Sequence, residues 1–351
     1  MGFKTYVLKK VLIYFSVLIA SMTILYVFTF PILQQVIYKS IEYQVLQFED
    51  TLLKYEEKYG SINATEIQIA VEKYKESLIS AYGLNKPIID KYFIQMYNLL
   101  HFNFGYAYFL QAPSGSKAVG TIIAYYLPNT ILLFTTATII NIILGIIIGL
   151  LSANSKIWEK IIGIIAVIHS SLPTWWLGFI LIAYLAYTMR IFPPGGMVSI
   201  PPPKNPFDYG LSVLDHMALP LISMLIVGVG GFSYVVRSLV TSTLKEDFVI
   251  TAKARGLPNS TILYKHVLRA ASPAIATQAI LAVAGSFGGG LLIEVIFEWP
   301  GIGWLTYQAI SQNDLPVILG VAYVLTIVLL IGLFLGELAY GLLDPRIKAG
   351  E

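Results

Sequence analysis

Cysteine is absent from the chain. There is therefore no disulfide, no thiolate metal site and no cysteine nucleophile, and no redox compartment follows. Charge is the second scarcity. Only 12% of the 351 residues are Asp, Glu, Lys or Arg, about half of the roughly 25% typical of a soluble domain. The formal net charge of +3 is too small to argue for nucleic acid or another polyanion as a partner. The four histidines, His101, His169, His216 and His266, are too scattered to argue for a metal site. No G-x-x-x-x-G-K-[ST] phosphate loop occurs, so ATP is not bound in the usual way, and neither H-E-x-x-H nor G-x-S-x-G is present. Proteolysis and hydrolysis are disfavoured, and no cofactor is expected on this chain.

What is abundant is apolar sequence, 56% of the residues. About 20 mainly apolar residues cross a bilayer, and six stretches meet that test: Val7–Pro31, and about Tyr126–Leu151, Ile161–Tyr187, Leu214–Val236, Ala271–Phe297 and Pro316–Leu343. The first is too long for a signal peptide and lacks a small-x-small cleavage site, so it reads as an uncleaved anchor. Basic residues in short loops set orientation. Lys4, Lys9 and Lys10 lie at the start of the first span, Lys156 and Lys160 follow the second, and Arg346 and Lys348 lie beyond the sixth. The connection after the fourth adds Arg237, Lys245, Lys253, Arg255, Lys265 and Arg269. The opposite side's short loops hold only Arg190 and Lys204. Both termini are expected in the cytoplasm, in a multi-pass protein of the cell membrane. Residues 32–124 are then an extracytoplasmic insertion. Within it Gln34–Tyr59 and Thr65–Tyr82 read as a helical hairpin broken at Gly60–Asn63. Asn63-Ala64-Thr65 also matches a glycosylation sequon, as a chance tripeptide often does.

The most informative polar stretch is residues 243–273. Thr243 and Glu246 have the spacing of a capping box, which predicts a helix from Leu244 to about Arg255. Gly256 suits a left-handed stop and Pro258 blocks continuation. On this helix Leu244, Phe248 and Ala252 share a face, while Lys245, Asp247, Lys253 and Arg255 cover much of the rest. Two readings fit: an interfacial helix among anionic headgroups, or a docking knob that carries force to a soluble partner.

The run Glu246-Asp247-Phe248-Val249-Ile250-Thr251-Ala252-Lys253-Ala254-Arg255-Gly256-Leu257 resembles the cytoplasmic "EAA" loop of ABC importer permeases, and within them the dipeptide/oligopeptide branch. Ile250-Thr251-Ala252 stands where other branches have Glu-Ala-Ala. His266, Leu268 and Arg269 continue the likeness. Gly83-Leu84-Asn85-Lys86-Pro87 and Phe104-Gly105-Tyr106 resemble signatures ahead of that branch's second span. Glu294, Phe297 and Pro300-Gly301-Ile302-Gly303, with Asp314 beyond, resemble its external block. Glu337, Tyr340 and Asp344-Pro345-Arg346 resemble its ending. The resemblance implies an all-α, polytopic, type I importer-like subunit with six transmembrane helices: helix 1 within residues 1–31, the insertion over 32–124 and the core permease over 125–351. It implies a second homologous permease, two cytoplasmic ATPases that bind ATP and Mg, an extracytoplasmic solute-binding protein and surrounding lipid. Leu244, Glu246, Asp247, Phe248, Thr251, Ala252, Lys253, Arg255 and Gly256 would then couple the ATPases to transport. The expected cargo is peptide, with oligosaccharide as an alternative.

Ionisable groups inside spans are candidates for function. His169 lies mid-span, either hydrogen-bonding a neighbouring helix or lining the path. Glu294 and Glu298 flank a turn, where an acid either caps N–H groups or faces the path as a gate. Small residues spaced by four, Ala282, Ser286 and Gly290, and the glycines Gly228, Gly230 and Gly231 suit close helix packing. A stand-alone secondary transporter using Glu294, Glu337 and His169 is the reading from a different class; internal repeats common in such folds are not evident.

Overall fold

The computed structural model describes residues 3–60, 63–153 and 156–343. Among these the regular elements are all helices, apart from one isolated β-bridge between Tyr106 and Ala118. In order the helices are α1 Phe3–Tyr59, α2 Ala64–Ala81, α3 Ile88–Leu100, α4 Val119–Ala153, α5 Lys156–Ser171 and α6 Thr174–Leu181, which runs on as a π turn to Thr188. Then come α7 Pro206–Thr243, α8 Asp247–Ala254, α9 Asn259–Thr261, leading through a second π turn into α10 Leu268–Ser286, and α11 Leu291–Ile296, α12 Ile302–Ser311 and α13 Leu315–Leu343. Five helices among the described residues are long and apolar enough to cross a membrane: α1, α4, α7, the α9–α10 run and α13.

Several boundaries differ from those read in the sequence. The third expected span is two pieces, because Pro173 lacks an N–H and its ring obstructs the preceding turn. The fifth ends at Ser286 rather than Phe297, stopped by Gly288-Gly289-Gly290, where Gly289 takes φ +65°. Pro31 does not end the first helix, which continues to Tyr59.

The chain forms two compact units. One comprises the residues up to Phe15 and those from Gly105 onward. Its most extensively packed helix pair among the described residues is α4 and α7, and glycine makes the approach possible. A Cβ on Gly149 would sit 2.8 Å from the Val236 side chain, and one on Gly145 would sit 2.8 Å from the Phe232 ring. These two glycines were not singled out by spacing; Gly228, which was, faces Asn141 with no room for a side chain. In the same unit Lys10 Nζ lies 2.8 Å from Glu337 Oε2, and the Tyr14 ring meets Phe334 edge-on with centroids 5.8 Å apart.

The other unit is Ser16–Phe104. Here the hairpin expected from sequence forms: Phe48 of α1 and Tyr74 of α2 have ring centroids 4.4 Å apart. Asn63 is the N-cap of α2. Its Oδ1 accepts from Glu66 N at 2.9 Å, and Glu66 Oε2 accepts from Asn63 N at 3.1 Å. The sequon asparagine is thus half of a capping box.

Candidate functional site

The segment after α7 is a short helix entered by a turn and closed at its far end. Backbone bonds from Leu244, Lys245 and Glu246 to Val240, Ser242 and Thr243 tighten the end of α7 into a turn. Glu246 turns extended, with ψ 149°, and α8 starts at Asp247. The capping box read from Thr243 and Glu246 is not formed. Thr243 is still inside α7, where its hydroxyl donates to Leu239 O at 3.0 Å, and the Glu246 side chain makes no cap bond. The helix is therefore shorter than expected by three residues at its start. At its far end the expectation holds. Gly256 takes φ +75°. Its N–H donates to Lys253 O at 3.0 Å, and Leu257 N–H donates to Ala252 O at 3.3 Å. This pair of bonds is a Schellman stop, which needs a residue without a Cβ penalty at the left-handed position.

Burial divides the nine sequence-derived coupling residues. Val249 is fully buried and Ala252 is 6% exposed. Both join a core with Val236, Val240, Ile262, Leu263 and Val267, and Leu244 packs partly against it. Leu244 and Ala252 thus anchor the segment to its own domain, and the shared apolar face read with Phe248 is corrected accordingly. Phe248 is 41% exposed and Ile250 62%. Glu246, Asp247, Thr251, Lys253, Arg255 and Gly256 are exposed as well. Among the described residues none of the four charged ones is in an ion pair. The outward surface of α8 is therefore an aromatic flank beside unpaired charges of both signs, held rigidly by an inward apolar stripe.

The Pro-Gly block uses its polar residues differently. Glu294 is fully buried. Its Oε2 accepts from Gly303 N at 2.5 Å and from Trp304 N at 3.1 Å, and its Oε1 accepts from the Thr130 hydroxyl at 2.7 Å. The Thr130 oxygen in turn accepts from Ile302 N at 2.7 Å. Ile302, Gly303 and Trp304 are the first turn of α12, whose N–H groups have no partner within the helix. Glu294 and Thr130, brought from α11 and α4, satisfy all three. The same turn is latched on its other side: Trp299 Nε1 donates to Asn129 O at 2.9 Å and Asn129 Nδ2 to Pro300 O at 2.7 Å. Gly301 and Gly303 are required by space. A Cβ on Gly301 would overlap the Glu294 carboxylate, and one on Gly303 would lie 2.6 Å from Leu291 Cα. Glu298, by contrast, is exposed, with φ +49°. His169 lies on α5, but its side chain falls outside the described residues, as do Asp344 and Arg346.

Asn129 and Thr130 were missed from sequence, although a polar pair after Pro128 in an otherwise apolar run was a usable signal. A second buried carboxylate completes the pattern. Asp314 is fully buried and accepts three successive backbone N–H groups, from Tyr108, Phe109 and Leu110, at 3.1, 2.9 and 3.0 Å. It fixes the loop that leads into α4.

Comparison with known proteins decides what this arrangement belongs to. Residues 141–349 match the family of binding-protein-dependent transport system inner membrane components. The chain belongs to that family. The permease is 31% identical over 277 residues to the oligopeptide transport system permease protein AppB of Bacillus subtilis, covering 78% of this chain and 85% of that protein. It is 32% identical to the dipeptide transport system permease protein DppB of the same species, covering 79% and 85%. It is also 31% identical to the metal-staphylopine import system permease protein CntB of Staphylococcus aureus, covering 77% and 81%. A multi-pass protein of the inner membrane, serving transport rather than catalysis as permease subunits do, is the common ground. α8 and the Pro-Gly turn both lie in the matched region.

Proposed function

We propose that the permease forms one half of the pathway of an ATP-driven importer, that α8 is where it receives force, and that its cargo is a peptide or a peptide-like small molecule. The observation that carries the reading is the division of α8: Val249 and Ala252 fixed in the core, with Phe248, Asp247, Thr251 and Arg255 left outward. A helix closed at its C-terminal end and anchored along one side transmits displacement without melting. An exposed aromatic among charges is the kind of anchor that protein interfaces bury.

Two cytoplasmic ATPase subunits supply the motion, and a second permease completes the pathway. A solute-binding protein delivers cargo on the far side, with both termini and α8 cytoplasmic as the basic residues direct. This chain makes and breaks no covalent bond. The cargo class is supported by the oligopeptide, dipeptide and metal-staphylopine systems to which the similar permeases belong.

The test is Phe248→Asp in the assembled transporter. Its own fold should change by no more than about 0.5 kcal/mol, as for an exposed site. Co-purification of the ATPases and ATP-dependent uptake of labelled peptide should be lost. Wild-type yield of the complex together with wild-type uptake would refute the assignment of α8.

A further inference from the structure

Residues 32–104 read as aqueous from sequence, yet α3 is placed where water is not expected. Tyr92 Oη and Thr23 Oγ1 are 2.7 Å apart, and the Tyr92 ring meets Tyr26 edge-on at 5.3 Å between centroids. Thr23 lies within the first membrane span. A hydrocarbon core needs about 20 residues. Counted from Val7 it ends at Tyr26, and counted from Val11, after the last lysine, it ends at Phe30. Thr23 is inside on either count. A helix that touches Thr23 therefore reaches below the surface of the bilayer.

The composition of α3 fits that depth. Its only charges, Asp90 and Lys91, are both in its first turn, and Tyr92–Leu100 carries none. Lys91 Nζ turns away from Thr23, donating to Leu84 O at 2.8 Å and lying 5.8 Å from the centre of the Phe30 ring. Phe30 is seven residues, about 10 Å, nearer the end of the span than Thr23. That is the geometry of a lysine whose stem stays in the apolar layer while its head reaches the interface. Met96 and Leu99 are buried within the protein, whereas Ile89 is 68% exposed and Phe93 and Tyr97 are 63% exposed. Ile89, Phe93 and Tyr97 follow one another at intervals of four, forming one stripe. On α1, next in sequence to Thr23 and Tyr26, the apolar Ile24, Val27 and Phe28 are exposed as well.

We propose that α3 is a membrane-embedded amphipathic helix, its Ile89–Phe93–Tyr97 stripe immersed in the acyl chains of the leaflet at the Pro31 end of the first span. The depth set by the Thr23–Tyr92 contact selects lipid over a protein partner for this stripe. The helix does not cross: at 13 residues it is about 20 Å long, shorter than the roughly 30 Å core.

The absence of cysteine makes the test direct. Phe93→Cys and Tyr97→Cys, each labelled with an environment-sensitive fluorophore in the full chain in nanodiscs, report local polarity; Glu72→Cys on α2 serves as the aqueous control. Lipids carrying a nitroxide near the glycerol end should quench positions 93 and 97 several-fold more strongly than position 72, with the reverse order for aqueous iodide. Equal iodide access at all three positions overturns the proposal. So does weak quenching by both agents, or iodide access lost only on adding the solute-binding protein, since each means a protein contact and not lipid. If either variant misfolds, Ile89→Cys reads the same stripe. None of these readouts depends on transport or on which side of the membrane the leaflet faces.

Discussion

In the Pro-Gly turn, the buried polar groups are consumed inside the chain. The Glu294 carboxylate and the Thr130 hydroxyl close the first turn of α12, and two glycines make room for them. Along α8 the opposite holds: the helix is closed by its own backbone at Gly256, and its charged side chains point outward without ion-pair partners among the described residues. A buried carboxylate with every oxygen occupied is part of the frame. Exposed charge beside an exposed ring is available to something else. Both segments resemble family signatures in sequence, so resemblance alone does not separate frame from contact surface, whereas burial does.

The comparison can be broken at several points. Glu294→Ala should have the largest effect. It leaves buried N–H groups of Gly303 and Trp304 without acceptors, at a cost of about 3–5 kcal/mol, read as a lowered thermal transition and poor yield in detergent. A wild-type transition would mean that the turn is held by something other than the carboxylate. Gly303→Ala follows, at about 1–3 kcal/mol, because its methyl group would press on the Leu291 backbone. Gly256→Val sharpens the contrast. A Cβ there meets nothing within 4 Å, so its cost of about 1–2 kcal/mol comes from the left-handed backbone alone. Its effect on ATPase coupling should exceed its effect on unfolding. The smallest effect is expected for Thr243→Ala, below about 0.5 kcal/mol, since that hydroxyl caps nothing. If Thr243→Ala instead loses the roughly 1 kcal/mol of an N-cap, the observed start of α8 is wrong.

The sequence reading succeeded where a local rule had a single outcome. Glycine before Leu257 and Pro258 stops a helix, and long apolar runs span a bilayer. It failed where a local pattern had competitors. Thr243 and Glu246 have capping spacing, but α7 carries Thr243 onward and its hydroxyl bonds back to Leu239; the same box forms instead at Asn63 and Glu66, where a glycine-led break precedes it. Leu244, Phe248 and Ala252 are spaced as one face only if the helix begins at Leu244. Once it begins at Asp247, two of them turn to the core. Glu294 was legible as an acid near a turn, but its partner Thr130 lies 164 residues away, and no local rule reaches across that distance.

The contact between Lys10 and Glu337 has a consequence for biosynthesis. These residues enter the world far apart in time: at ordinary rates of translation, tens of seconds separate them. Until the last helix emerges, the ammonium group near the beginning of the chain waits without its counter-charge. A product released early, by a nonsense codon or a stalled ribosome, would carry that defect at the opposite terminus from the cut. The ion pair thus reports that synthesis has passed Glu337.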